Sequence, residues 1–364
     1  MNLSEKSKQH VDSCRFCWMC HHVCPIGNAT GHERSTPRAR ALGISLVNRD
    51  AMELGEIMDN IYECAGCGGC VQVCVTGWDP VMFTREVRLQ AALEGKLPPY
   101  IQKMVDRCLE TGNAYGRKPG SEDDGLKQAI SRHSGNADTL FYLGADARYR
   151  VPDQAVRAIG VLEKAGVDFR VAQEEPTSGA HLDFLIGDAQ ETREQMKQCA
   201  AFLNLYQTVV IYDPADAKVI RQTFHHHGIE LTCRAVTYTM FLSELLSKGR
   251  LKGINGKKQA VVYQDPFQLS RDLGETEEPR RVISAFAELR EMLLNREETV
   301  WAGNLLMAEY LPDVIRLVAA RRIFNAASVG AKIIVTTCPG EYAALRSVEQ
   351  DQVEILSLED LIPE

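Results

Sequence analysis

Apolar positions along the first hundred residues fall at helical spacing. Met52, Leu54, Ile57, Met58 and Ile61 lie mostly three and four apart, which predicts a helix running into Cys64. Another helix is expected from Arg38-Ala-Arg-Ala-Leu-Gly-Ile-Ser-Leu-Val, after the breaker-rich loop Gly27-Asn-Ala-Thr-Gly31-His-Glu-Arg-Ser-Thr-Pro37. Residues 81–93 read as a helix ended by Glu94-Gly95-Lys-Leu-Pro98-Pro99, and a further one is expected over 100–109. The stretch Thr111-Gly-Asn-Ala-Tyr-Gly116-Arg-Lys-Pro-Gly120-Ser-Glu-Asp-Asp-Gly125 is turn chemistry throughout and is expected to cross the surface between units.

From about residue 138 the pattern changes to short apolar runs alternating with helical ones. Strands are expected at 139–144, 167–172 and 208–212, with helices over 152–164, 192–205 and from Asp213-Pro214 to about 225. That alternation predicts a parallel sheet with crossover helices. Gln259-Ala-Val-Val-Tyr-Gln-Asp-Pro-Phe-Gln-Leu-Ser-Arg271 echoes Thr139-Leu-Phe-Tyr-Leu-Gly-Ala-Asp-Ala-Arg-Tyr-Arg150, and a Pro-initiated helix follows each, at Pro279 and Pro152. Ile333-Ile-Val-Thr-Thr-Cys338-Pro339 echoes Val209-Val210-Ile-Tyr-Asp213-Pro214 in the same order, so an α/β unit of about 120 residues is read as duplicated.

Composition narrows the class. With 45% hydrophobic and 25% charged residues the chain is an ordinary globular one, and a net charge of -8 speaks against phosphate-backbone binding, so no nucleic-acid partner is expected. The opening Met1-Asn-Leu-Ser-Glu-Lys-Ser-Lys lacks the apolar core of a leader, and no run approaches the roughly eighteen apolar residues of a transmembrane segment. A cytoplasmic location follows, either free or held at the inner face of the membrane through a partner.

Of the twelve cysteines, eight lie in two runs, Cys14-Arg-Phe-Cys17-Trp-Met-Cys20-His-His-Val-Cys24 and Cys64-Ala-Gly-Cys67-Gly-Gly-Cys70-Val-Gln-Val-Cys74. Both read C-x2-C-x2-C-x3-C, in which three thiolates from a tight loop bind one iron-sulfur cube and the fourth reaches a second cube. Cys14, Cys17, Cys20 and Cys74 would then hold one 4Fe-4S cluster, and Cys64, Cys67, Cys70 and Cys24 the other. Two zinc sites would instead use cysteine pairs, and gaps of 2, 2 and 3, twice over, fit the cubes with no ligand left over. A disulfide framework suits short secreted chains. The expected class is therefore an α+β multidomain chain: a mostly helical ferredoxin-like dicluster domain over 1–98, a linker with a helix over 99–136, and α/β repeats with parallel strands over 137–254 and 256–364.

Gly66, Gly68 and Gly69 would leave backbone N–H groups free to approach sulfur. His21 and His22, beside Cys20, are read as ordinary helix residues rather than proton-coupling groups, and His225-His226-His227 as a solvated helix end, since consecutive helical residues point apart. Cys108, Cys199 and Cys233 read as buried thiols. No G-x-G-x-x-G, P-loop, nucleophile elbow or metalloprotease helix is present.

The two cysteine runs, the Gly-Asn-Ala-Tyr-Gly linker and the duplicated α/β unit together resemble one family over nearly the whole chain. It is the family of the iron-sulfur subunits of glycolate oxidase and of anaerobic glycerol-3-phosphate dehydrogenase, together with the heterodisulfide reductase CCG-domain proteins. In that family each repeat carries cysteines at three turns. Here the first turns read Gly144-Ala145-Asp146 and Asp265-Pro266-Phe267, the middle ones Thr177-Ser178-Gly179 and Trp301-Ala302-Gly303, and the last ones Tyr212-Asp213-Pro214 and Thr337-Cys338-Pro339-Gly340-Glu341. Every cysteine but Cys338 is missing, so the chain keeps the residues a turn needs and loses those a metal needs.

The resemblance implies an electron-transfer subunit of a multisubunit dehydrogenase. A flavoprotein partner with bound FAD, which this chain lacks, would feed two 4Fe-4S clusters, and a quinone-reducing membrane protein, an electron-transfer flavoprotein or another carrier would drain them. The alternatives are a heterodisulfide-reductase-like catalytic subunit with a residual site at Cys338, and a non-catalytic interaction protein stapled by its clusters.

Overall fold

The computed structural model describes residues 3–348 and 353–363. Helices Pro37–Asn48, Leu54–Tyr62, Pro80–Leu93 and Pro99–Thr111 pack around Ile44, Ile61, Phe83, Val87, Ile101 and Met104, none more than 3% exposed. Proline opens three of these four, at the position where its missing N–H has no helical partner to lose. Asp79 Oδ1 accepts from the N–H groups of Val81 and Met82, both at 3.0 Å, a cap worth about 1 kcal/mol.

Two small parallel sheets follow. The first contains β1 (Thr139–Tyr142), β2 (Thr208–Ile211) and β3 (Arg234–Thr237) in that order. The second contains β4 (Ala260–Gln264), β5 (Glu288–Arg290), β6 (Ile333–Thr336) and β7 (Glu354–Ser357) in the order β5-β4-β6-β7. Arg170 also bridges Leu140 in parallel, on a backbone ladder in which Phe141 N–H donates to the Arg170 carbonyl and Arg170 N–H to that of Thr139, both at 2.8 Å. The chain therefore leaves β1 on one side toward Arg170 and returns on the other as β2, just as β5 and β6 flank β4. Each sheet has a topological switch point at the carboxyl end of its first strand.

The sheets share one apolar core, in which Phe141, Val210 and Val236 join Val261, Val335 and Leu358. The C-terminal turn Leu358–Leu361 reaches back to the first sheet's helix Pro152–Lys164, where Asp360 Oδ1 lies 2.8 Å from Arg157 Nε.

Four departures from the sequence reading have physical causes. The strand expected at 167–172 shrinks to the single bridge at Arg170, and β3, β5 and β7 lie where no strand is expected. All of these are sheet edges, where exposed residues such as Arg234, Glu288 and Glu354 dilute the apolar pattern. The helix expected to open at Pro279 spans Glu277–Phe286, with Pro279 in its first turn where it removes no hydrogen bond. The 111–125 stretch is partly internal: Asn113 and Ala114 are 2% and 0% exposed, and Glu122 pairs with Arg148 at 2.9 Å. No helix among the described residues is long and apolar enough to cross a membrane.

Candidate metal centre

The two cysteine runs fold alike. The first passes through the left-handed region at Phe16 (φ 56°) and Trp18 (φ 67°), the second at the equivalent Gly66 (φ 66°) and Gly68 (φ 72°). Glycine adopts this conformation freely, whereas other residues lose roughly 1–2 kcal/mol each. The turns aim backbone donors at sulfur: Phe16 N–H donates to Cys14 Sγ and Gly66 N–H to Cys64 Sγ, both at 3.4 Å. The fourth thiols accept likewise, Cys24 from Gly27 N–H and Cys74 from Trp78 N–H, again at 3.4 Å. Donors so placed favour negative charge on the sulfurs.

The eight thiols divide between two small cavities, and the division crosses the runs. Cys14, Cys17 and Cys20 share a cavity of about 380 Å³, open side included, with Cys74. Cys64, Cys67 and Cys70 surround another of about 320 Å³ with Cys24. Among the described residues no three His, Cys, Asp or Glu side chains gather tightly enough to hold one metal ion. A cube takes each of four thiolates on a different iron, which matches the four cysteines around each cavity. The donor set fits 4Fe-4S cubes.

Burial pushes Cys20 up to about 11, with Cys14, Cys24 and Cys17 adding to the effect. Burial also raises Cys24 against the pull of Arg40, Cys67 to about 11 against that of Arg271, and Cys70 well above its ordinary value. At Cys74 the burial effect is outweighed by hydrogen bonds from Thr76, Trp78 and Gly77, which leave the thiol below its ordinary value. Thiols held neutral in this way must each release a proton on binding iron.

Three buried or half-buried arginines support the second cavity, and none of them is flagged by the cysteine spacing. Arg40, 2% exposed, lines it and is anchored by donating to the carbonyls of Ser35 at 2.8 Å and Asn60 at 3.0 Å. Arg88 donates to the carbonyls of Cys64 (2.6 Å), Ile61 (3.1 Å) and Phe184 (2.8 Å), between the rings of Tyr62 and Phe184. Arg271 reaches over from the second sheet, donating to the carbonyls of Cys67 at 2.7 Å and Glu297 at 2.6 Å. The available sequence signal is a basic residue interrupting an apolar helical face, as Arg40 does beside Ala41 and Ile44 and Arg88 beside Val87 and Ala91.

The first cavity has the more exposed surroundings. Phe16, Trp18, Met19 and Val75 around it are 62%, 46%, 47% and 85% exposed, and Arg38 lies over the rings of Phe16 and Trp18. His21 sits 3.6 Å from Glu33, while His22 is exposed. His225 and His226 are exposed at the end of a helical stretch, as the sequence predicts, but His227 is partly buried, 3.4 Å from Asp188. Cys108 and Cys199 are fully buried, but Cys233 is only half-buried, because it lies in the loop leading to edge strand β3.

Cys338, 6% exposed, is pushed well above its ordinary value by burial and by Asp213 and Glu341 nearby. It lies away from both four-cysteine cavities, in the wall of a larger one that also contains Asp146, Thr177, Asp213 and Phe267. Residues from five of the six turns compared above with the family's cysteine positions thus meet in one place.

Residues 10–78 match the 4Fe-4S dicluster domain family. Over 93% of its length the chain is similar to a dihydromethanophenazine:CoB–CoM heterodisulfide reductase subunit of Methanosarcina mazei, at 25% identity and covering 89% of that protein. It is also similar to a fumarate reductase (CoM/CoB) subunit of Methanothermobacter marburgensis, at 19% identity over 90% of this chain and 65% of that one. EtfAB:quinone oxidoreductase of Syntrophomonas wolfei shares 20% identity over 76% of this chain and 45% of its own. The chain thus carries a 4Fe-4S dicluster domain and is a homologue of this heterodisulfide reductase subunit and of related iron-sulfur proteins.

Proposed function

We propose that this chain is the electron-transfer subunit of a multisubunit flavin-dependent dehydrogenase. In this reading it stands between a flavoprotein partner carrying FAD and a quinone, an electron-transfer flavoprotein or another carrier. The observation that carries it is the sorting of eight thiols into two four-thiol cavities, each with backbone N–H donors aimed at sulfur. Cys14, Cys17, Cys20 and Cys74 would hold one cluster and Cys64, Cys67, Cys70 and Cys24 the other. Each bound 4Fe-4S cluster supplies a reversible one-electron acceptor.

The remaining residues set the surroundings of these sites. Arg40 and Arg271 offset thiolate charge at the second site. At the first, the exposed Phe16, Trp18 and Met19 offer an apolar surface on which a redox partner can seat. The common strand order of the two sheets, with Arg170 and β5 in matching places, supports reading 137–254 and 256–364 as degenerate CCG-type copies behind a dicluster domain at 1–98 and a linker at 99–136. Names of relatives that include quinone and fumarate reductases agree with this placement in a redox complex.

Anaerobic reconstitution tests the reading. It expects about eight iron and eight sulfide per chain, and a paramagnetic signal on one-electron reduction. A reconstituted chain without iron, or with iron that dithionite does not reduce, ends it.

A further inference from the structure

The two cysteine loops share a backbone path but not their surroundings. In the second loop the left-handed positions are Gly66 and Gly68, and the second α/β unit closes over them. A Cβ at Gly68 would lie 3.8 Å from Arg271 Cδ, and Arg271 donates to the Cys67 carbonyl at 2.7 Å. In the first loop the equivalent positions are Phe16 and Trp18, and the equivalent cysteine, Cys17, is exposed. The face that Arg271 covers in one loop is turned to solvent in the other, where Phe16 is 62% and Met19 47% exposed.

Phenylalanine and tryptophan are unfavourable choices at these two positions. Both take a φ that glycine adopts freely and that larger residues resist, and neither is compensated by burial. With Met19 and Val75 they gather four large, exposed apolar side chains around one small cavity. Aromatic side chains, methionine and arginine are the residues that protein interfaces concentrate at their centres.

The charge around the patch has one sign. The chain as a whole has 49 acidic residues against 41 basic ones. Yet the charged residues lining the first cavity are Arg15 and Arg38, and neither 13–32 nor 64–78 contains an aspartate or glutamate. The carboxylates that flank the first run are engaged, Asp12 with Arg49 at 3.4 Å and Glu33 with His21 at 3.6 Å. Arg15 is exposed and enters no ion pair among the described residues. The Arg38 guanidinium lies 4.8 Å from the centre of the Phe16 ring and 4.2 Å from that of Trp18, beside the apolar patch. Negative charge on the sulfurs is met from within, by Phe16 N–H on Cys14, Trp78 N–H on Cys74 and the Thr76 hydroxyl 3.3 Å from Cys74 Sγ.

We propose that this face seats the flavoprotein partner of the electron relay, and that the partner meets it with an apolar, edge-exposed flavin ringed by carboxylates. Phe16, Trp18 and Met19 suit the apolar edge of the flavin ring system, and Arg15 and Arg38 suit the carboxylates around it. The proposal rests on the electron-relay reading and adds the place, the shape and the charge of the contact.

Flavodoxin, an acidic FMN protein with an exposed flavin edge, is the probe. It is labelled with nitrogen-15 and titrated anaerobically with the reconstituted full chain, and cytochrome c, which presents a basic face, is the control. Amide signals around the flavin should broaden, and the affinity should fall at least about fivefold between low salt and about 0.3 M salt. Joint Phe16→Gly and Trp18→Gly substitution, which gives the first loop the glycines of the second, should weaken binding at least about tenfold at unchanged iron content. Arg15→Glu should weaken it about fivefold. If the double-glycine variant loses iron, Arg15→Glu and Met19→Gln carry the test. An iron-loaded chain that does not bind flavodoxin, binding indifferent to salt, tighter binding of cytochrome c, or undiminished binding in the iron-loaded variants overturns the docking surface alone. A chain that takes up no iron ends the electron-relay reading and this proposal with it.

Discussion

Replacing Arg88 by methionine should loosen the cysteine site around Cys64 without touching a cysteine. Arg88 is 2% exposed and its guanidinium closes two helices at once. Ile61 lies in the last turn of Leu54–Tyr62, where its carbonyl also accepts from Cys64 N–H at 3.3 Å, Phe184 lies in the last turn of Ala180–Ile186, and Cys64 presents a third carbonyl just beyond the first helix. Three hydrogen bonds from a charged donor, at about 1.5–3 kcal/mol each, sum to roughly 5–9 kcal/mol. The cost of keeping the cation out of water is recovered on substitution, and methionine retains the apolar stem, so the net loss should be about 3–5 kcal/mol. Arg88→Lys keeps the charge but not the three-way reach, and should lose about half as much.

The assay is anaerobic denaturant titration of the reconstituted chain, following the visible absorption of the clusters and far-ultraviolet circular dichroism on the same samples. Cluster absorption in Arg88→Met should fall at lower denaturant than in the parent, ahead of the loss of sheet signal. A midpoint change equivalent to less than about 1 kcal/mol would mean that the carbonyls find other partners and that the guanidinium is not the link between these helices.

The crossed ligand sets make a directional forecast: Cys24→Ser should disturb the cluster held with Cys64, and Cys74→Ser the one held with Cys14, as read by two distinguishable signals on stepwise reduction, and the reverse assignment would show uncrossed ligation. Gly66→Ala should cost about 1–2 kcal/mol from its left-handed φ, while Trp18→Gly should recover a similar backbone cost at the matching position of the other loop, offset by lost stacking on Arg38; equal effects of alanine at Gly66 and at exposed Gly55 would refute the strain. Burial pushes the Glu341 carboxyl up to about 8, with the Ala302 N–H, Gln264 and Arg322 pulling it back only in part. The native state then binds the proton more tightly than the unfolded chain, so stability contributed by this group is intact below about pH 4.5, falls as pH rises toward 8, and is fully lost above it, by on the order of a few kcal/mol. Glu341→Gln should flatten that slope in denaturation at pH 5 and pH 8, and identical slopes in parent and variant would exclude the group.

The cysteine spacing made the metal chemistry legible, because ligand gaps in a tight loop are a property of the chain itself. The buried interior strands β1, β2, β4 and β6 were equally plain, since both of their faces are apolar. The edge strands were hidden by their exposed charges. The large cavity was hidden for another reason: its walls come from turns spread along the chain from Asp146 to Cys338, each unremarkable by itself, and only the parallel order of the sheets brings Asp146, Asp213, Gln268 and Cys338 together. Phe16 and Trp18 concealed a turn that Gly66 and Gly68 announce, and the equivalence became visible only through their φ values.

The exchange of fourth cysteines between the two runs bears on the order in which the chain is made. While the ribosome has delivered only residues up to Cys24, the first run has three thiols for one cavity and a single thiol for a cavity whose other members do not yet exist. Neither set closes until Cys70 and Cys74 have emerged and the helices Pro37–Asn48 and Leu54–Tyr62 have turned the chain back on itself. Under the proposed ligation a nascent or truncated chain would therefore offer iron only incomplete sites, and full metal loading would be a certificate that the chain has been synthesised through Cys74 and folded back on itself.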